Sequence, residues 1–195
     1  MTLRDFQQDF NKNLNKKLSS QWQKLGHLLS QVSDDFLRQT GNPLLKQSLN
    51  SALDLVRPFS VALGLRISRL SDLSIETVIP AKERNLDRGG AILEAVLVAA
   101  AMESAKLLMD RNLIYGKPEL RFLKMESEFH QKVKSDVRCR LNLSELQRET
   151  LLLDIQKESR GRLALQAQIF DENEVLVAQI SMDLLIEAQT AIDWK

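Results

Sequence analysis

The sequence is poor in the residues that most often carry chemistry. Among 195 residues there is one cysteine, Cys139, and there are two histidines, His27 and His130, far apart along the chain. A single cysteine excludes an intrachain disulfide and a cysteine-built zinc cage. Two distant histidines argue against a histidine metal site or a two-histidine triad, so neither a metal nor a cofactor is expected. Any catalysis must lean on carboxylates, backbone dipoles, asparagine or serine. Charge of one sign is also missing: the formal net charge is +1. A nucleic-acid binder driven by bulk charge is therefore not expected. No apolar run is long enough to cross a bilayer. Met1 leads into a charged, Gln/Asn-rich stretch without the apolar core of a secretion signal. The default expectation is a cytoplasmic protein with no transmembrane segment.

What is present is ordinary globular material, 44% hydrophobic and 27% charged, enough for one domain with a proper core. The first part reads as a long amphipathic helix. Leu3, Phe6, Phe10, Leu14, Leu18, Trp22, Leu25, Leu29, Val32 and Phe36 recur in steps of three and four, the spacing of one helical stripe. Its polar side is only weakly basic, which favours packing on protein over a membrane surface. Gly41, Asn42 and Pro43 break it. Pro43 opens a second helix to about Val56, which Pro58 ends. Residues 1–57 are thus expected to be a helical extension and 58–195 the main domain.

From Phe59 the period changes to two. Leu63, Leu65 and Ile67 alternate with Gly64, Arg66 and Ser68; Ile75, Thr77 and Ile79 alternate with Ser74, Glu76 and Val78. Such alternation predicts half-buried strands, here joined around Ser71 and Asp72. A polar loop ending in Gly89 and Gly90 then runs into a helix apolar on nearly every side, through Met109. A helix of that kind must be covered. Alternation resumes after Pro118: Leu123, Met125, Ser127 and Phe129 face one way, Lys124, Glu126, Glu128 and His130 the other. Val137, Cys139 and Leu141 follow. Ser144 and Gln147 form a capping-box pair that opens a short helix, and Gly161 is placed to end it. Strands over Leu163–Phe170 and Val175–Ile186 close the chain as a hairpin across Asp171–Glu174. Six alternating strands predict a mostly antiparallel sheet with one wet face. The apolar helix can be covered only by lying across it, which is an α+β layer architecture.

In that order the elements resemble the hotdog fold, a sheet wrapped around one long central helix, and the thioesterase-like branch of uncharacterised proteins within that superfamily. The resemblance covers roughly Pro58 to Glu187. Pro58 and Phe59 leading to Leu63–Ile67 are similar to the family's opening strand. Pro80, Arg84, Asn85 and then Gly89, Gly90 and Ala91 are similar to its approach to the central helix. Arg140–Gln147, Gly161–Arg162 and Phe170–Asp171 are similar to its closing strand, helix and hairpin. The resemblance implies hydrolysis of acyl-CoA or acyl-carrier-protein thioesters by homodimers or higher homo-oligomers, with the helix N-terminus set against the thioester carbonyl and a carboxylate directing water. A non-catalytic hotdog protein that binds an acyl ligand, or serves as an interaction scaffold, is the alternative. Many members have His-Gly-Gly before the helix and an acid nine residues after the His; this chain has Arg88 and Leu97 there. The helix of hydroxyacyl-carrier-protein dehydratases is similar around Glu94, but those enzymes need an upstream histidine that is absent between Pro58 and Arg88.

Glu94 is the nearest acid and the candidate general base; pairing with Arg66, Arg84 or Arg88, or exposure at the helix start, is the competing reading. Gly89 and Gly90 are candidate oxyanion donors or a close-packed helix start. Asn85 and Asp87 either position water or substrate or order the loop. Arg88 and the basic set Lys132, Lys134, Arg138 and Arg140 either meet coenzyme A phosphates or an acidic carrier, or lie on a solvated face. Glu103 reads as structural or as part of a dimer seam, and Cys139 as inert core.

Overall fold

The computed structural model describes residues 58–113 and 118–188. The amphipathic stretches predicted within 1–57, and the division at residue 57, lie outside the described residues. The chain first forms a one-and-a-half-turn helix, α1 (Pro58–Leu63). The period-two pattern from Phe59 predicts strand here. Proline instead occupies the first helical position, where its missing N–H leaves nothing unpaired. Strands β1 (Arg66–Leu70) and β2 (Ser74–Ile79) follow as a hairpin. The central helix α2 runs Glu94–Asn112. Next come β3 (Pro118–Phe129), β4 (Val137–Asn142), α3 (Glu145–Glu158), β5 (Arg160–Phe170) and β6 (Leu176–Ala188).

All six strands join one antiparallel sheet in the order β1-β2-β4-β5-β6-β3. The sheet curls around α2, and its inward residues form the core. Ile75 and Ile79 of β2, Leu141 of β4, Ile169 of β5 and Ile180 of β6 are fully buried with Leu107, Leu108 and Met109 of α2. Side chains of this size contribute about 1.5–3 kcal/mol each on burial. A polar cluster joins helix to sheet: the Thr77 and Ser104 hydroxyls lie 2.7 Å apart, and both contact the buried thiol of Cys139.

Three details depart from the sequence reading. A bulge between Phe122 and Lys124 drops Leu123 out of the alternation, so it is exposed while Phe122 and Met125 pack on the core. The capping box at Ser144 and Gln147 is present, but Ser159, at φ 58°, ends α3. Gly161 is already part of β5, and a Cβ there would stand 2.7 Å from Leu151 Cδ1, so its role is close approach of helix and strand. Finally, α2 is not covered on every side. Ala95 is exposed and Ala99 and Met102 are half-buried.

Candidate active site

The site is built where the loop before α2 meets the loop between β3 and β4. Pro80 leaves β2, and residues Glu83–Asn85 make a single 3-10 turn. Asn85 is buried there. Its amide Nδ2 donates to the carbonyls of Leu63 and Pro80, each at 2.8 Å, and its own carbonyl accepts from Leu93 N–H at 2.9 Å. This side chain therefore fastens the loop to the end of α1 and to β2. Of the two uses considered for Asn85, these bonds serve the ordering of the loop, and both amide hydrogens have acceptors.

Asp87 organises the next turn. Its carbonyl accepts from Gly90 N–H at 3.0 Å, and Gly90 takes φ +75°, a conformation that other residues adopt only with strain. The carboxylate Oδ1 accepts from Gly89 N–H at 2.7 Å and Ala91 N–H at 3.0 Å. Oδ2 faces Lys132 Nζ at 3.3 Å. The hydrogen bond from Ala91, with those from Gly89 and Lys132, holds the Asp87 carboxyl below the usual carboxylate range. Ile92 N–H donates to Val133 O at 2.8 Å, a second tie to the β3–β4 loop.

These bonds bear on which N–H groups face the cleft. The N–H groups of Gly89 and Gly90 both donate within the turn and are not open to a ligand. Within α2, the first-turn N–H groups of Glu94 and Ala95 have no acceptor among the described residues. Helix α2 begins after Leu93, whose side chain accepts no capping bond, so its positive dipole end stays open.

A cleft of about 60 Å³ lies against this turn. Leu93, Glu94 and Leu97 form one wall, Phe129, Lys132 and Val133 the other, and Asp87 one corner. Glu94 is exposed at the helix start, one of the alternatives considered from the sequence, and no ion pair joins it to Arg66, Arg84 or Arg88. Leu97 faces the cleft from the place where an acid was sought. Phe129 and the Ala95 N–H were missed by the sequence reading. Phe129 lies on the inward side of the β3 alternation, which was the available signal; the N–H groups could be assigned only once the turn's own bonds were known.

The basic set divides. Lys132 is at the cleft, Lys134 is exposed on the same loop, and Arg88 is exposed on the Asp87 turn. Arg138 and Arg140 lie on the outer face of β4. Arg138 pairs with Glu174, and Arg140 binds Glu76 at 2.7 Å and Glu174 at 2.6 Å. Burial works to raise the Glu76 carboxyl, but bonds from Ser68 and Arg140 outweigh it and hold it low. Of the two alternatives for this basic set, the outer sheet face is where these two arginines lie, and there they brace the sheet and the β5–β6 turn. Glu103 is buried away from the cleft, accepting from Ser60 Oγ at 2.9 Å and Lys106 Nζ at 2.7 Å. Among the described residues no cluster of His, Cys, Asp and Glu could hold a metal, and no helix is long and apolar enough to cross a membrane.

No protein-family profile and no curated protein matches the sequence. Solved structures do match the fold. A protein of unknown function from Pseudomonas aeruginosa, a probable thioesterase, is 18% identical over 73% of this chain and 96% of its own, with a TM-score of 0.62. A putative thioesterase from Shewanella oneidensis is 13% identical over 73% and 96%, at 0.61. A thioesterase from Haemophilus influenzae is 19% identical over 76% and 93%, at 0.58. With its six-stranded antiparallel sheet curled around α2, the chain has the hotdog fold in the form found among these thioesterase-like proteins.

Proposed function

We propose that the protein hydrolyses acyl thioesters carried by coenzyme A or an acyl carrier protein, as a homodimer. The observation that carries this reading is the open first turn of α2: the N–H groups of Glu94 and Ala95 have no acceptor among the described residues, and Glu94 lines the cleft. The Glu94 and Ala95 N–H groups polarise the thioester carbonyl and stabilise the oxyanion that develops on it. Glu94 takes a proton from water as the water oxygen bonds to the carbonyl carbon. The C–S bond then breaks, and the departing thiolate takes that proton back from Glu94. Asn85 and Asp87 hold the loop in place. Lys132, Lys134 and Arg88 offer cations to phosphate groups at the mouth. The free edge of β3, paired only with β6 among the described residues, supports pairing with a second copy.

Leu97 favours a second reading. An apolar residue in the cleft wall suits a protein that holds an acyl chain without cleaving it. One experiment separates the two: thioester hydrolysis over a panel of acyl-CoA chain lengths, for wild type and Glu94→Gln. The catalytic reading expects a loss of about 10²–10⁴-fold in kcat for the variant, the range of general-base catalysis. Equal rates remove Glu94 as the base. No turnover with any chain length, together with acyl species retained in native mass spectrometry, supports the binding reading.

A further inference from the structure

The thioester reading leaves open what carries the acyl group, and the lip of the cleft bears on that. Two loops form this lip, residues 80–92 and 130–136. Three bonds fasten one to the other: Ala81 N–H to Asp136 Oδ1 at 2.8 Å, Ile92 N–H to Val133 O at 2.8 Å, and Lys132 Nζ to Asp87 Oδ2 at 3.3 Å. Lys82, Arg84, Arg88 and Lys134 stand exposed on the lip, and among the described residues none of them has an ion pair. Arg111, Arg121, Arg138, Arg140 and Arg148, by contrast, each reach a carboxylate. The lip also carries three acids, Glu83, Asp87 and Asp136, and the last two are drawn in to backbone N–H groups. A chain of formal net charge +1 thus concentrates unpaired cations beside its cleft.

These cations are spread out, not gathered on one point. Arg88 stands on the Asp87 turn at the cleft corner. Ile79 pairs with Val137, so Lys82 and Lys134, three residues beyond that pair on either loop, leave the sheet at the same end of the β2–β4 seam. Arg84 lies farther out, its guanidinium over Gly64 between α1 and β1. In the sheet order, β5 and β6 separate this seam from the free β3 edge, so Lys82 and Arg84 lie away from the edge proposed for a second copy. We propose that the lip is the docking surface for an acidic acyl carrier protein, which delivers its thioester into the cleft, and that free acyl-CoA is the poorer substrate. The proposal rests on the thioester reading of the cleft. A row of cations across two tied loops matches an extended acidic protein surface. A nucleotide phosphate calls instead for donors that converge on it. The phosphate of the pantetheine arm is common to both carriers, so Arg88 and Lys132 at the mouth serve either one. Lys82 and Arg84, beyond the reach of that arm's phosphate, discriminate. Because their charges are exposed, they act chiefly on the rate of encounter and are screened by salt.

The test compares the full chain with two double variants. Lys82→Glu with Arg84→Glu reverses the outer lip. Lys157→Glu with Arg162→Glu, on α3 and β5, changes the net charge equally and is the control. Hydrolysis is measured for one acyl group carried by an acyl carrier protein and by coenzyme A. Wild type is expected to favour the carrier-borne thioester in kcat/KM and to lose that advantage as salt rises from about 0.05 to about 0.5 M. The lip variant is expected to lose about tenfold or more of kcat/KM on the carrier, the scale of steering charges, through KM at unchanged kcat, and to keep its rate on acyl-CoA. Equal kcat/KM on both substrates in wild type, an equal loss on both in the lip variant, or the same loss in the control each overturn the proposal. Fluorescence anisotropy of labelled acyl carrier protein reads docking without turnover. Binding weakened in the lip variant and kept in the control supports the docking surface even where neither thioester is hydrolysed, a result that refutes the thioester reading alone. No binding by wild type overturns the docking surface, whatever happens to acyl-CoA.

Discussion

The hydroxyl pair between Thr77 and Ser104 gives the sharpest measure of how the central helix is fixed in the sheet. Both residues are fully buried, and their oxygens are 2.7 Å apart. Ser104→Ala removes that bond and leaves the Thr77 hydroxyl in the dry layer between β2 and α2, with only the weak thiol of Cys139 as a remaining neighbour. A lost intramolecular bond costs about 1 kcal/mol net, and an orphaned buried hydroxyl about 1–3 kcal/mol. Thr77→Val keeps the shape and orphans Ser104 instead, so it carries a similar cost. The double variant, Thr77→Val with Ser104→Ala, has no orphan. Its destabilisation is expected to fall below the sum of the two single values by about 1–2 kcal/mol. Urea unfolding of the four proteins, with the midpoint shift read at unchanged slope, supplies the cycle. Additive single effects would show that the pair does not act as a unit. Single effects near zero would show that the contact contributes nothing to holding α2.

Two glycines separate strain from crowding. Gly161→Ala forces a methyl to 2.7 Å from Leu151 Cδ1 and 3.4 Å from the Leu151 carbonyl; a loss of about 1–3 kcal/mol is expected from overpacking, partly recovered by Leu151→Val. Gly90→Ala meets no atom within 4 Å but keeps φ +75°, so its cost of about 1–2 kcal/mol is backbone strain alone and no neighbouring substitution relieves it; thermal denaturation of the two series compares them. Burial pushes the Cys139 thiol up to about 12, so native protein is expected to resist a thiol reagent near neutral pH and to react once unfolded in urea. The Glu76 carboxyl is held below its unfolded value, so its contribution is fully present above the unfolded carboxylate pKa, about 4.3, and is lost as pH falls through the folded one. Urea midpoints followed into acid should fall less steeply for Glu76→Gln than for wild type; parallel curves would refute the role given to Arg140 and Ser68.

The alternation of Val137, Cys139 and Leu141, and of the residues from Leu163 to Phe170, was legible because each strand has one buried face, and burial imposes period two locally. The capping box at Ser144 was legible for the same reason: its physics closes within four residues. Strand order was not accessible in that way. β3 pairs with β6 from Pro118↔Ala188 to Phe129↔Ala178, and no residue in either strand encodes the other's position. α1 was missed because Leu63 and Leu65 are buried across Gly64, which turns at φ +68°. A helix end and a strand start can thus imitate one alternating run.

The approach to α2 shows why the site was harder to read than the fold. Two glycines before a buried helix are a signal for backbone geometry, and geometry alone does not say which N–H groups remain available. Asp87 decides that. A carboxylate two residues before Gly89 and four before Ala91 reaches both amides without ordering a second molecule, so it occupies the positions an external anion would otherwise take. The open end of the dipole is thereby displaced into the first turn of α2, at Glu94 and Ala95. That displacement also gives Leu97 a physical context. In the proposed reaction the acyl portion of the thioester passes Leu97, which faces the cleft from the next turn, where an aliphatic side chain favours binding and a carboxylate would have to be desolvated. In the proposed reaction Glu94 combines both tasks, carrying the base on its side chain and one oxyanion donor on its own backbone.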